Sequence, residues 1–296
     1  MNTLQQVAAF AGTVKHGSFA AAARESGSSP STLAKAVARL EAGLGVRLFH
    51  RTTRHVSLTP DGERLYRRCE RLLAEVEELQ AEASGVRESP SGTLRIDLPI
   101  VLGRRWILPV LARMSRRHPQ LALDVRLHDG YVDLVKEAID VAIRVGPLKD
   151  STLVARPLAS QAMVLVASAG YVRERGTPRR IEDLAKHDAV LFRMPTSGRD
   201  RPWQFRHRGR PTEMTPPSRV RLNDGEGIVE ACRLGLGIAQ LPDYFVRDEL
   251  ARGEFVELLP SLRPAPLPVS IVYPAARLVP QRVRAFIDEV EALRRE

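Results

Sequence analysis

Apolar side chains in the first 58 residues recur at the three- and four-residue spacing of short helices. In the first helix they are Leu4, Val7, Phe10 or Ala11, and Val14. Gly17 ends that helix with a left-handed cap, and Ser18 is the N-cap of a second helix. Ser29 and Pro30 begin a third helix, which runs to about Ala42. The spacing of the second and third helices predicts a helix-turn-helix.

A wing and a long helix follow. Two strand-like segments, 46–49 and 56–58, flank a basic loop and predict a β-wing, and a helix then runs from Pro60 to about Arg87. Its apolar or small positions step by four and three residues, as in the seam of a coiled coil. They are Leu65, Cys69, Leu72, Val76, Leu79, Ala83 and Val86. Because an exposed helix has no reason to keep such a stripe, we expect a homodimer joined through this helix. Packing of the stripe against the chain's own domains is the alternative.

Beyond a hinge-like Ser-Pro-Ser-Gly at 89–92, strands and helices alternate. The strand-like segments are 94–98, 121–127, 141–145, 163–167, 190–192, 238–241 and 269–273. Helical segments between them include 104–117, 225–234 and 280–295. This alternation predicts α/β layers, and about 205 residues suffice for two small lobes.

Charge narrows the class of partner. The formal net charge is +10, and residues 1–58 carry seven Lys and Arg against two Glu, a local charge of +5. An excess of basic residues favours an acidic partner, and nucleic acid is the first candidate. The alternative is that an arginine-rich composition gives the same net charge in a protein that binds no polyanion. There is no apolar run long enough to span a bilayer, no secretory signal pattern and only two distant cysteines, Cys69 and Cys232. We therefore expect a cytoplasmic protein with no membrane association, metal or cofactor.

A helix-turn-helix places its second helix in the major groove of DNA. The candidate contacts lie opposite the apolar face of the third helix, at the two N-caps and on the basic wing loop, whose side chains suit phosphate or the minor groove. They are Ser18, Ser29, Ser31, Thr32, Lys35, Arg39, Arg51, Thr52 and Arg54. For any one of them, an ordinary solvated surface position is the alternative.

The segment 10–62 closely resembles the winged helix-turn-helix of LysR-type transcriptional regulators. The matching pieces are Gly17-Ser18-Phe19, Ala22-Ala23, Leu40-Glu41, Leu44-Gly45, Leu48-Phe49, Arg51, Leu58-Thr59 and Gly62. The likeness continues to the second-lobe motif 235–242 and covers essentially the whole chain. It departs at Pro30 and Ala34, where many relatives have a Gln and a hydroxyl residue, so a Gln–adenine contact cannot form.

The resemblance implies an α+β multidomain chain. Its parts are a winged helix-turn-helix over 1–59, a dimerisation linker helix over 60–88 and an effector-binding domain over 89–296. That domain resembles a type II periplasmic binding protein, with lobe 1 over about 92–164 and 267–296 and lobe 2 over about 165–266. The implied function is sequence-specific transcriptional regulation by an effector bound between the lobes. The implied partners are double-stranded promoter DNA, a small organic effector, further copies in a homodimer or homotetramer, and RNA polymerase as an additional candidate.

Ligand pockets in such domains form at strand ends and helix N-termini. The candidate effector contacts are Ile100, Val101, Leu102, Gly103, Arg144, Gly146, Arg193, Phe205, Asn223 and Asp224. Arg144 or Arg193 could meet a carboxylate or phenolate, and an ion pair within the protein is the alternative for both. The apolar run 100–102 indicates an aromatic or otherwise hydrophobic effector, so an aromatic or carboxylic acid is the expected class. Relatives often have Ser or Thr in this loop, whereas this chain has Pro99-Ile100-Val101.

Two other classes of function compete with a regulator. An enzyme with a DNA-binding head would need a nucleophile beside a base, a phosphate-binding glycine loop or a cofactor motif, and the sequence contains none of these signatures. A protein that only coats DNA would not need a two-lobed α/β domain. We therefore expect a regulator and no enzymatic activity.

Overall fold

The computed structural model describes residues 2–50, 56–83, 89–148, 153–275 and 279–293. The chain divides near Gly92 into two compact units, which are treated separately below. The N-terminal unit contains four helices, α1 Thr3–Lys15, α2 Phe19–Glu25, α3 Pro30–Leu44 and α4 Pro60–Ala83.

The first three helices enclose a core centred on the fully buried Phe10. Both predicted N-caps form: the Ser18 hydroxyl accepts the Ala21 N–H at 3.1 Å, and the Ser29 hydroxyl accepts the Thr32 N–H at 3.1 Å. These caps satisfy N–H groups that a helix start leaves without an internal partner. Local sequence therefore sets the bounds of the helix-turn-helix.

The predicted wing strands are reduced, within the described residues, to one bridge between Phe49 and Leu58. The two predicted edges do pair, since the His50 N–H donates to the Ser57 carbonyl at 2.9 Å and the Thr59 N–H to the Leu48 carbonyl at 3.0 Å. The pairing is short because a side chain takes the N–H of Leu48. The Glu41 carboxylate accepts the Leu48 N–H at 2.8 Å and pairs with Arg47 at 2.9 Å. The loop 51–55 lies outside the described residues.

The C-terminal unit contains twelve strands in its described part. They are β1 Gly92–Leu98, β2 Leu121–Leu127, β3 Val141–Val145, β4 Leu153–Gln161, β5 Met163–Ser168, β6 Ala189–Phe192, β7 Trp203–His207, β8 Arg210–Met214, β9 Ser218–Leu222, β10 Ala239–Pro242, β11 Phe255–Leu258 and β12 Leu267–Pro274. Its α-helices are α5 Ile100–Leu102, α6 Leu108–Arg117, α7 Ala169–Arg175, α8 Gly225–Arg233, α9 Arg247–Ala251 and α10 Gln281–Ala292.

One sheet builds the first lobe, in the order β2-β1-β3-β12-β4. Side chains from α6 and α10 share an apolar core with it, including the fully buried Met114 and Phe286. The predicted helix 104–117 begins earlier, at Ile100, and passes through a π-helical turn at Gly103–Ile107. Gly103 lets this segment pack closely against β1 and β2, because a Cβ there would lie 2.7 Å from a Leu127 methyl carbon and 2.9 Å from the Leu98 Cβ.

The second lobe contains the sheet β10-β5-β11, the parallel pair β6-β9 and the hairpin β7-β8. The chain enters this lobe between β4 and β5 and leaves it between β11 and β12. Strands β4, β7, β8, β9 and β11 were not predicted. The two-lobed α/β architecture confirms the expected fold class.

Candidate DNA-binding surface and effector cleft

Helix α3 has two distinct faces. Leu33, Ala36, Val37 and Leu40 are buried in the core of the N-terminal unit. The exposed face carries two cations among small residues, namely Ser31, Thr32, Ala34, Lys35, Ala38, Arg39 and Ala42. Among the residues that the structure describes, neither Lys35 nor Arg39 forms an ion pair. Their charges remain available to an anionic partner.

Three hydroxyl groups meet at the start of α3. Ser29 Oγ lies 3.0 Å from Ser31 Oγ and 2.7 Å from Thr32 Oγ1 while it caps the helix. The predicted contacts Ser18 and Ser29 thus have a structural role as caps. Exposed hydroxyls at a helix N-terminus, where the helix dipole is positive, suit a phosphate group.

The wing is fastened to the first turn of α4. The Thr59 hydroxyl donates to the Arg47 carbonyl at 2.6 Å and accepts the Gly62 N–H at 2.9 Å. A Cβ at Gly62 would overlap the Leu48 carbonyl oxygen. Only glycine fits this close approach, which gives a physical reason for Gly62 in the matching motif. The predicted contacts Arg51, Thr52 and Arg54 lie outside the described residues.

The predicted seam on α4 is partly used inside the chain. Leu65 and Cys69 pack against the core of the helix-turn-helix, and burial raises the pKa of the Cys69 thiol. Leu72 is 46% exposed and Val76 is half-buried. The side chain of Leu79 and those at 83 and 86 lie outside the described part. The part of the stripe that is open to a partner therefore begins near Leu72. In the turns before it, the apolar side chains pack within the chain, as in the alternative given above.

In the C-terminal unit, the strand ends of both lobes meet the two crossovers, which are the connections from β4 to β5 and from β11 to β12 that link the lobes. In lobe 1, Gln161 at the end of β4 pairs with Leu267 at the start of β12, beside the carboxyl end of β3. In lobe 2, Met163 at the start of β5 pairs with Pro242 at the end of β10. Both lobes thus present strand carboxyl ends to the crossovers, which is where α/β folds bind ligands.

Tyr244 joins the two lobes. It follows β10 in lobe 2, yet its ring is buried in the apolar core of lobe 1 and lies 4.7 Å from the Trp106 ring. Its hydroxyl donates to Gln161 Oε1 at 3.2 Å, and burial strongly raises the pKa of Tyr244. Arg105 donates to the Tyr244 carbonyl, and Arg104 forms an ion pair with Glu226 at the start of α8. The sequence pattern did not identify this cluster.

Several predicted effector contacts are core residues. Val101 and Leu102 are buried in the core of lobe 1, and Gly103 packs against Leu98 and Leu127. Phe205 is buried in a core of lobe 2. The prediction that these side chains line a pocket was wrong, because a short apolar run reads the same whether it faces a cleft or a core. Ile100 is only partly buried.

A carboxylate occupies the start of the first lobe-1 helix. The Ile100 N–H donates to Asp129 Oδ1 at 3.1 Å. Burial is the main reason that the pKa of Asp129 is raised, and the nearby Asp224 raises it further. Asp224 also accepts the Gly227 N–H at 2.7 Å and so caps α8 next to Asn223. Asp129 was not predicted, although it follows a strand, which is the signal that could have found it.

Both arginines expected to meet an anion are paired with carboxylates. Arg144 is bound to the fully buried Asp97, which also lies 2.7 Å from His128 Nε2. Arg193 lies 3.8 Å from Asp200. Both arginines therefore form ion pairs within the protein, which was the alternative to binding an effector. Gly146 ends β3, where its N–H donates to the Pro268 carbonyl at 2.8 Å.

Two features are absent from the part of the chain that the structure describes. No helix in that part is long and apolar enough to cross a membrane. Within the same residues, no group of three or more His, Cys, Asp or Glu side chains is arranged to hold a metal ion.

A helix-turn-helix with an open cationic face, together with a two-lobed domain of this topology, defines a DNA-binding regulator that responds to a ligand. The family model "Bacterial regulatory helix-turn-helix protein, lysR family" matches residues 4–63, and "LysR substrate binding domain" matches residues 87–294. The chain belongs to the LysR family of transcriptional regulators. It is a DNA-binding regulator controlled by a small-molecule effector and not an enzyme.

Curated relatives span nearly the whole chain. The regulator CrgA of Neisseria meningitidis (serogroup C, strain 8013) is 33% identical over 286 residues, covering 96% of this chain and 94% of CrgA. DmlR of Escherichia coli K12 is 34% identical over 288 residues, covering 96% of this chain and 92% of DmlR. The solved structure of CrgA from Neisseria meningitidis covers 98% of both chains, with 32% identity and a TM-score of 0.62.

Proposed function

We propose that the chain binds double-stranded promoter DNA in the cytoplasm as a homodimer or homotetramer, through α3 and the wing. The open cationic face of α3 is the observation that carries this proposal. We assign DNA binding to residues 1–59, dimerisation to 60–88 and effector binding to 89–296. We also propose RNA polymerase as an additional candidate partner.

The test of DNA binding is removal of one charge from the recognition face. Lys35→Ala should weaken binding to the gene's own upstream region by about 1–3 kcal/mol and reduce its preference over a scrambled duplex, because we propose that this exposed side chain contacts base edges. Fluorescence anisotropy at fixed salt measures both affinities. Lys136→Ala, at an exposed position in the C-terminal unit, removes the same charge outside residues 1–59 and serves as the control. Unchanged affinity and preference in Lys35→Ala would show that α3 does not read the DNA.

We further propose that a small organic effector, an aromatic or carboxylic acid, binds between the lobes beside Ile100. The strand carboxyl ends around the crossovers support this position. An effector that favours one arrangement of the lobes changes how the dimers pack and hence how the paired heads meet DNA. The coupling required is about 1–3 kcal/mol between the two sites.

The dimer is proposed on the exposed part of the α4 stripe. Leu72→Glu should give monomers, because a charge cannot be buried in a coiled-coil seam without a partner. Sedimentation velocity measures the mass, and Arg68→Glu, exposed on the same helix but outside the stripe, is the control. If Leu72→Glu retains the mass of the parent oligomer, the seam lies elsewhere.

A further inference from the structure

The β7-β8 hairpin has a buried base and an exposed end. At the base, Trp203 and Phe205 are buried in a core of lobe 2. Between them, the Gln204 N–H donates to Gln240 Oε1 at 2.8 Å, and the Gln204 carbonyl accepts from Gln240 Nε2 at 2.6 Å. All residues from 206 to 213 are exposed. The fold thus fixes the base of the hairpin and leaves its end free to contact a partner.

Three arginines, Arg206, Arg208 and Arg210, lie at this end and are here called the arginine tip. Among the residues that the structure describes, none forms an ion pair or a hydrogen bond with their guanidinium groups. The carboxylate within the hairpin, Glu213, accepts a hydrogen bond from Gln204 Nε2 at 3.1 Å. Because like charges so close together repel one another, the arginine tip does not stabilise the hairpin.

The turn of the hairpin holds an arginine in a conformation that suits other residues better. Arg208 and Gly209 both have positive φ, 49° and 78°, as in the type I′ turns that join two-stranded hairpins. Asn or Gly at the first of these positions adopts this conformation with less strain than an arginine. Turn geometry therefore gives no reason for an arginine at position 208.

The net charge of the chain is concentrated in two segments. Residues 199–221, which include the hairpin, contain seven Arg against Asp200 and Glu213, a net charge of +5. Residues 1–58, which include the helix-turn-helix, also carry +5 out of the total of +10, so the rest of the chain is neutral overall. This segment of lobe 2 is therefore as basic as the DNA-binding head.

We propose that the arginine tip contacts the phosphate backbone of double-stranded DNA, as a second DNA-binding surface beyond residues 1–59. A guanidinium matches a phosphate in two parallel hydrogen bonds, and the chain is a DNA-binding protein. An acidic protein fits less well, because protein interfaces centre on aromatic or aliphatic anchors. Residues 206–213 include no Phe, Tyr, Trp, Met, Leu, Ile or Val. Contacts with phosphate carry no sequence information, so the tip adds affinity for DNA without adding preference.

The test uses the full-length protein and a tip variant that combines Arg206→Gln, Arg208→Gln and Arg210→Gln. The control variant removes three exposed arginines elsewhere in lobe 2, with Arg173→Gln, Arg179→Gln and Arg180→Gln. Fluorescence anisotropy over a series of salt concentrations measures binding to the gene's own upstream region and to a scrambled duplex of the same length.

The tip variant should bind both duplexes about tenfold or more weakly at low salt. The slope of log affinity against log salt should become shallower by about 2–3, as expected for the loss of about three phosphate contacts. The preference of the tip variant for the upstream region should equal that of the parent, whereas Lys35→Ala should lose preference. The control variant should bind as the parent does.

A lysine variant and the mass of the oligomer separate contact with DNA from other roles. Arg206→Lys, Arg208→Lys and Arg210→Lys together should retain the salt slope of the parent, since binding to phosphate requires the charge. If they bind as weakly as the tip variant, or if the control variant is weakened equally, the proposal is overturned.

Unchanged DNA affinity and salt slope in the tip variant would overturn the proposal and leave the assignment of DNA binding to α3 intact. If that variant also fails to recruit RNA polymerase to an occupied promoter, the tip binds a protein instead. A smaller mass of the tip variant in sedimentation velocity would likewise overturn the proposal, because the tip would then be an interface between copies of the chain.

Discussion

The contact between α4 and the wing makes a sharp prediction about Gly62. In Gly62→Ala, the new methyl group would overlap the Leu48 carbonyl oxygen and lie 3.0 Å from a Leu58 methyl carbon, so backbone must move. Overpacking of this kind costs about 1–3 kcal/mol. The two hydrogen bonds of Thr59 at the same junction are worth about 1 kcal/mol each when they are lost. If both hydrogen bonds are lost, we expect the free energy of unfolding of the N-terminal unit to fall by about 3–5 kcal/mol.

Thermal unfolding followed by circular dichroism tests this expectation. For a unit of this size, each kcal/mol shifts the melting temperature by about 4–8 °C, so a fall of about 10 °C or more is expected. The matched control is Gly43→Ala, because Gly43 lies within α3 and a Cβ there has open space around it. That variant should gain up to about 1 kcal/mol from helix propensity. If Gly62→Ala has the same melting temperature as the parent, or if Gly43→Ala loses as much stability, the close approach at Gly62 does not hold the wing against α4.

Two further predictions concern titratable groups in the C-terminal unit. Burial raises the pKa of Asp129, so the folded protein holds that proton more tightly than the unfolded chain. The stability of the folded protein should therefore fall as pH rises from about 3.8 through the raised pKa. In Asp129→Asn, the amide oxygen can still accept the Ile100 N–H. This variant should be more stable than the parent at pH 7 but not at pH 3. Urea unfolding at both pH values measures this, and a less stable variant at pH 7 would mean that the charge is compensated. Burial raises the pKa of the Cys232 thiol to about 12. In a Cys69→Ser variant, the remaining thiol should therefore react with Ellman's reagent at pH 8 only as fast as the domain unfolds. Rapid labelling of Cys232 would contradict its burial.

Local sequence predicted the N-terminal unit well because its signals are short-range. The capping hydroxyls of Ser18 and Ser29 act within three residues of their own positions. The wing was harder, since Glu41 reaches seven residues along the chain to Leu48, and no periodic pattern records that contact.

The C-terminal unit was predicted only where strands are buried. Strand β4 is mostly exposed and contains Pro157, so it lacks the apolar alternation by which strands are recognised. The hairpin β7-β8 is rich in polar and charged residues, and its buried Phe205 was predicted as an effector contact.

The position of the effector cleft stays a prediction, and the pairing of the charges around it could not be predicted from the sequence. Whether an arginine is compensated depends on residues far away in sequence: Asp97 meets Arg144 across 47 positions. Such distinctions require the tertiary structure.

The seating of Tyr244 in lobe 1 has a calorimetric consequence. Any motion that separates the lobes must remove the Tyr244 ring from an apolar core and expose it, together with Trp106, to water. Hydration of apolar surface raises the heat capacity. Titration calorimetry at several temperatures would therefore distinguish an effector that spreads the lobes from one that tightens them, since the two give heat-capacity changes of opposite sign.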